Sequence, residues 1–170
     1  RFIHCRARHQ QSKLTTQLQS LGADVLHIPC LKIEKNDTEL NKISQKVLSK
    51  KTILVFTSEN GVRCFMQHCI NIGVDARQFS GKKIAAIGQH TSDTLKSYGI
   101  CPDIIPDEQT SLGLCKILES IISKDDDVGI PTSSEAGHEL KNHIESFGAR
   151  VNQWPIYINK EGLDIDPKLI

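Results

Sequence analysis

Ile53-Leu54-Val55-Phe56-Thr57-Ser58-Glu59-Asn60-Gly61-Val62 changes character twice within one short stretch. Four apolar residues stop at two small hydroxyl side chains, and a helix-like pattern resumes at Val62. A short continuous apolar run bounded by polar residues reads as a buried parallel strand, not one wet on a face. The stretch is therefore strand, tight loop and helix start. In open α/β sheets ligands collect beyond the carboxyl ends of the strands, and the free N–H groups of a helix N-terminus favour anions. Any site in this protein is expected to include this loop.

The same grammar repeats outward from it. The helix after Ser58 is expected over residues 59–72, with Gly73 as its stop. Ile84-Ala85-Ala86-Ile87-Gly88 leads through Gln89-His90-Thr91 into a helix closed by Gly99, and Asp103-Ile104-Ile105 reads as a short strand. Leu112, Cys115, Leu118, Ile121 and Ile122 line a further amphipathic helix. Asp127-Val128-Gly129-Ile130 is a strand leading through the loop Pro131-Thr132-Ser133-Ser134 into a helix with Leu140, Ile144 and Phe147, and residues 151–158 are strand-like again. The recurrence of small polar residues at three strand-to-helix junctions predicts a ledge of stacked loops rich in free backbone N–H groups.

Upstream, Phe2-Ile3-His4-Cys5, a helix with Leu14, Leu18 and Leu21 ended by Gly22, and Val25-Leu26-His27-Ile28 make one β-α-β unit. Leu31-Lys32-Ile33-Glu34 alternates, as a strand wet on one side does, and reads as a connector between two lobes. Asp37 or Thr38 can cap one helix carrying Leu40, Ile43, Val47 and Leu48. The chain crosses out of its first lobe near residue 32, turns back near residue 159, and leaves that lobe with a single β-α-β unit. A truncated sequence is the expectation.

Composition narrows the function. A net charge of +1 and an aromatic content of 5% argue against a broad basic nucleic-acid surface or a base-stacking platform. The six cysteines (5, 30, 64, 69, 101 and 115) form no CxxC pair and no metal-ligand spacing with histidine, so they read as reduced, partly buried thiols of a cytoplasmic protein. No apolar run approaches the roughly 20 residues that span a bilayer. A receiver-like switch would need an acidic cluster after the first strand, where Arg6-Ala7-Arg8 stands. A flavodoxin would need a Ser/Thr/Gly-rich phosphate loop at the same place.

Together the landmarks resemble uroporphyrinogen-III synthase, a family of tetrapyrrole (haem) biosynthesis. Phe56-Thr57-Ser58-Glu59-Asn60-Gly61-Val62 is similar to the family's F-T-S-x-N-G-V. Ile84-Ala85-Ala86-Ile87-Gly88 with Thr91, Leu95 and Gly99 is similar to its I-A-A-I-G-x-x-T-x-x-x-L-x-x-x-G, and Leu140, Gly148, Val151 and Tyr157 to the segment closing its second domain. Cys5-Arg6-Ala7 with Leu18, Gly22, Val25 and Pro29 loosely matches its first β-α-β unit.

The resemblance implies an α/β fold of two flavodoxin-like parallel-sheet domains joined by a two-strand linker. Residues 1–34 would be the start of domain one, 35–157 domain two, and 158–170 the return linker, with the rest of domain one missing and the fragment inactive. It implies cyclisation of hydroxymethylbilane with loss of water and inversion of ring D, by a hydro-lyase that acts as a monomer without metal or organic cofactor. Tyr157 would be the general acid on the leaving hydroxyl. Arg6, Thr57, Ser58, Gly88, Thr91 and Ser133 would hold the carboxylates of the linear tetrapyrrole. Each has a plainer alternative: Thr57 and Ser58 as caps, Tyr157 as a packed strand end, Arg6 as a solvated loop residue. A non-catalytic small-anion-binding α/β module is the competing reading of the whole chain.

Overall fold

The computed structural model describes residues 1–5, 12–28 and 30–162 of the chain. They divide into two compact units, one of Arg1–Glu34 with Asn159–Ile170 and one of Lys35–Ile158. In the smaller unit, strands β1 (Phe2–His4) and β2 (Val25–His27) flank helix α1 (Ser12–Ser20). They pair in parallel with Phe2 opposite Val25 and His4 opposite His27. Strand β3 (Leu31–Lys35) follows.

The larger unit begins with helices α2 (Asp37–Leu40) and α3 (Gln45–Ser49), where a single helix was expected. The chain restarts because Ser44 caps anew, its Oγ accepting the Val47 N–H at 3.3 Å, and the break lets Leu40, Ile43 and Leu48 all be buried. The first cap is Asn36, one residue ahead of the expected Asp37 or Thr38, with its side chain accepting the Glu39 N–H.

Three β-α units then build the sheet: β4 (Ile53–Phe56) with α4 (Glu59–Asn71), β5 (Lys83–Ala86) with α5 (Gln89–Ser97), and β6 (Asp127–Ser133) with α7 (Glu139–Ser146). Helix α6 (Ser111–Glu119) precedes β6, and β7 (Arg150–Glu161) ends the described sheet. Glycines stop α4 and α5 where expected, Gly73 and Gly99 taking φ of +74° and +77° that cost other residues energy. The expected strand at 103–105 is reduced to one bridge, Ala85 to Ile104.

Strand order is β3-β7-β6-β4-β5. Strands β5, β4, β6 and β7 run parallel. β3 runs against β7: the Asn36 N–H donates to Ile156 O at one end, and the Gly162 N–H donates to Cys30 O at the other. The four strands expected to be parallel are so, and the sheet is mixed because β3, expected as a connector, joins its edge antiparallel.

Pro131, Thr132 and Ser133 belong to β6 and not to a loop. A proline is tolerated there because pairing with β4 ends at Gly129, leaving no ladder bond for Pro131 to donate.

Each face of the sheet has its own core. Ile53, Val55, Val128 and Ile130 pack with Leu114 and Leu118 of α6 and Ile144 of α7. On the other face Phe65 of α4 stands edge-on to Phe56 at 5.4 Å and stacked on Trp154 at 6.4 Å. No helix among the described residues is long and apolar enough to cross a membrane.

Candidate functional site

Chain order and strand order part company between β4 and β6. From β4 the chain moves outward to β5, then crosses back to enter β6 on the other side. Such a switch point opens a crevice beyond the carboxyl ends of its two strands. The residues there are Thr57 and Ser58 from β4, and Thr132 and Ser133 from β6.

The two neighbouring hydroxyls after β4 go to opposite faces. Thr57 joins Ser111, Ile130, Thr132, Ala136, Gly137, Glu139, Leu140 and Gln153 around a cleft of about 130 Å³. Both α6 and α7 begin at this cleft, so their first-turn N–H groups and the three hydroxyls supply donors. Glu139 places a carboxylate at the same rim, and an anion held there must overcome that charge. His138 Nδ1 lies 3.2 Å from Gln153 Oε1, whose amide in turn donates to Gly137 O at 3.0 Å.

Ser58 turns to the α4 face. Its Oγ accepts the Gly61 N–H at 3.0 Å, capping α4, and stands 3.0 Å from the Tyr157 hydroxyl. Tyr157 reaches it through an irregularity in β7. Pairing is regular from Asp127 opposite Arg150 to Thr132 opposite Pro155, and then Ser133 stands opposite Tyr157, so Ile156 is an inserted residue. Side chains alternate along a strand, so in a strand without this bulge Tyr157 would stand opposite Ser134 and face the α6–α7 side. With it, Tyr157 shares the face of Ser133 and comes under α4.

Tyr157 is 6% exposed. Burial raises its phenol above the usual value of 10, against the opposing hydrogen bonds of Ser58 and Ser133, while Cys64 and Glu135 push the same way as burial. A phenol raised in this way keeps its proton at neutral pH. It can donate a proton and cannot serve as a phenolate base.

The remaining expected residues lie apart from this pair. Gly88 caps α5 with extended backbone, and the space beside it is taken by Gln109, whose Oε1 accepts the Gln89 N–H at 3.1 Å. Thr91 is 4% exposed within α5. Arg6 lies outside the described residues. The structure therefore brings Ser58, Ser133 and Tyr157 together, sets Thr57 in the adjoining cleft, and places Gly88 and Thr91 at the next helix. Ser111, Glu139 and Gln153 were missed in the sequence. The Gln109-Thr110-Ser111 junction carries the small polar signature of the other three, and would have pointed to Ser111. Among the described residues no cluster of three or more His, Cys, Asp or Glu could hold a metal ion.

Fold and site thus define an α/β protein with a polar, hydroxyl-lined crevice at the switch point of a mixed five-stranded sheet. Residues 12–169 match the family model described as uroporphyrinogen-III synthase HemD, and the chain belongs to that family. It is 24% identical over 159 residues to the porphyrin biosynthesis protein HemD of Ruminiclostridium josui, covering 92% of this chain and 31% of that protein. Among solved structures it is similar to a mutant uroporphyrinogen III synthase from Thermus thermophilus, with a TM-score of 0.65 and 19% identity, covering 95% of this chain and 63% of that one. The uroporphyrinogen-III synthetase of Helicobacter pylori gives a TM-score of 0.58 at 13% identity, covering 98% of this chain and 64% of that one. The chain spans less than two thirds of the length of these relatives.

Proposed function

We propose that this chain contributes one wall of an active site that closes the linear tetrapyrrole hydroxymethylbilane to uroporphyrinogen III, losing water and inverting ring D. The observation that carries the reading is the Ser58–Tyr157 hydroxyl pair, held at a strand-end crevice in a chain of this family. Tyr157 donates its proton to the departing hydroxyl; the burial that raises its phenol keeps it protonated at neutral pH and makes it a weaker acid than a free phenol. Ser58 and Ser133 hold the phenol oxygen in place.

The substrate is a polycarboxylate, and the ledge suits it. Thr57 offers a hydroxyl donor beside helix N-termini, Ser58 and Ser133 turn theirs to Tyr157, and Gly88 and Thr91 extend the same edge. Arg6 supplies a cation from the first domain. The reaction needs positioning more than reagents: a flexible chain must be held so that one ring carbon, and not its neighbour, attacks. The domain plan of this reading is two flavodoxin-like domains with residues 35–157 as the second, linked through 1–34 and 158–170 to the first. The protein acts as a monomer in the cytoplasm.

The test is to express these residues with whatever coding sequence flanks them, supply hydroxymethylbilane, and separate the type III and type I products. Type III above the uncatalysed background is expected. Type I alone, as forms without enzyme, would overturn the activity and favour a module that only binds anions.

A further inference from the structure

Six cysteines are present, and two of them meet. Cys5 follows β1 and Cys30 stands directly before β3; beyond the pairing that ends with His4 opposite His27, the Cys30 N–H donates to Cys5 O at 3.1 Å. A donor and an acceptor residue bonded in this way have Cα atoms about 6 Å apart. A disulfide takes Cα separations of about 4.4–6.8 Å. The backbone therefore already holds the two residues at bridging distance.

Their environments differ in a useful way. Cys5 is exposed, whereas Cys30 is half-buried with its thiol donating to Ile28 O at 3.3 Å. Burial, then the hydrogen bond and charge of Cys5, raise the Cys30 thiol above its usual value. The thiols thus sense one another directly, and Cys5 is the one open to solvent reagents. By contrast Cys64, Cys69 and Cys115 are buried, and Cys101, though exposed, lies in the larger unit.

We propose that Cys5 and Cys30 form a redox-active dithiol between the end of β1 and the start of β3, closed to a disulfide by small-molecule disulfides such as oxidised glutathione. The Cys5 thiolate attacks one sulfur of the disulfide and expels one glutathione thiolate, which takes up the proton that Cys5 gave up. The Cys30 thiol then loses its proton, and its sulfur attacks Sγ of Cys5, expelling the second glutathione. The two protein thiols have lost two hydrogens and two electrons, and one glutathione disulfide has become two thiols. Reduced glutathione in excess reverses both steps.

Closure joins Cys5, the residue before Arg6 in sequence, to Cys30. If Arg6 binds a substrate carboxylate, oxidation at the residue before it alters turnover. That consequence rests on the proposed function, but the bridge does not.

The test equilibrates the protein in glutathione buffers of rising oxidised fraction, alkylates the remaining thiols, and maps peptides by mass spectrometry. The expected result is the loss of two of the six alkylatable thiols and a cross-linked peptide joining Cys5 to Cys30. Cys30→Ser should leave Cys5 carrying glutathione, and Cys5→Ser should leave Cys30 alkylated. A wild-type protein that ends with glutathione on Cys5 and alkylated Cys30 would overturn the proposal. So would a bridge from Cys5 to Cys101, or full alkylation in the most oxidising buffer. The wild-type map decides even if a variant does not fold, and it reads covalent chemistry independently of any synthase activity.

Discussion

The hydroxyls of Ser58 and Tyr157 stand 3.0 Å apart across 99 positions of sequence. Ser58 Oγ also takes the Gly61 N–H, so one oxygen ties the first turn of α4 to β7. A helix cap and a candidate proton donor share a single partner. Mutations there should separate stability from chemistry.

Tyr157→Phe removes the phenolic hydroxyl and keeps the buried ring. Loss of a general acid costs about 10²-fold or more in rate, whereas one partly compensated hydrogen bond is worth about 1 kcal/mol of stability. Ser58→Ala should reverse the balance, losing about 1 kcal/mol through the cap and about 1 kcal/mol more through the bond to Tyr157, and less of the rate. Turnover of hydroxymethylbilane and urea midpoints of both variants check this. A Tyr157→Phe enzyme within twofold of wild type would remove the acid role.

Stability should fall in alkali, through Cys69. Its side chain is fully buried, and burial pushes the thiol up to about 12 from an ordinary value of 9.0. The native state thus keeps a proton that the unfolded chain releases. The contribution is whole below the unfolded value and is lost as pH rises from about 9 to about 12, at about 1.4 kcal/mol per pH unit. Urea melts between pH 8 and pH 11 should show this slope, and Cys69→Ala should flatten it. An unchanged slope in the variant would assign the alkaline loss elsewhere.

Gly129 is a packing glycine, and its backbone needs no special φ. A Cβ there would lie 2.6 Å from Trp154 Cζ3 and 2.9 Å from Leu54 Cδ2. Overpacking of a closed core costs about 1–3 kcal/mol. Gly129→Ala should lower the urea midpoint by that amount and shift the emission of the protein's single tryptophan. An unperturbed emission with wild-type stability would mean that the Trp154 ring moves freely.

How much of this could be read in advance follows from the range of the interactions. The β4 strand, its Thr-Ser stop and the α4 start are local, fixed by an apolar run and a cap within a few residues. The helix stops at Gly73 and Gly99 are local too. Tyr157 could be singled out only by resemblance, and its approach to Ser58 depends on an inserted Ile156 in a strand pairing made across the sheet. Nothing in the sequence near residue 157 marks that insertion. Likewise Thr57 and Ser58 look equivalent in sequence, but strand alternation sends them to different faces, one to the cleft and one to the tyrosine. Pro131 was misplaced in a loop because its tolerance depends on where the β4 pairing ends, which is a fact about the neighbour and not about Pro131.

At the amino ends of the strands, opposite the candidate site, Lys51 is 4% exposed and donates to both Asp127 Oδ1 and Asn152 Oδ1. Its ammonium also lies 5.4 Å from the centroid of Trp154. A buried ion pair adds little over a well-packed apolar pair, yet removing one member leaves the other charge stranded. Lys51→Met would leave the Asp127 carboxylate, 15% exposed, with Arg150 Nε at 4.0 Å as its remaining cation. That change should cost about 3–5 kcal/mol. Adding Asp127→Asn removes the stranded charge and should recover part of the loss. Denaturant titrations of the two single variants and the double variant close the cycle. A Lys51→Met protein within about 1 kcal/mol of wild type, or a double variant less stable than Lys51→Met alone, would mean that the pair is not what holds β4, β6 and β7 together at this end.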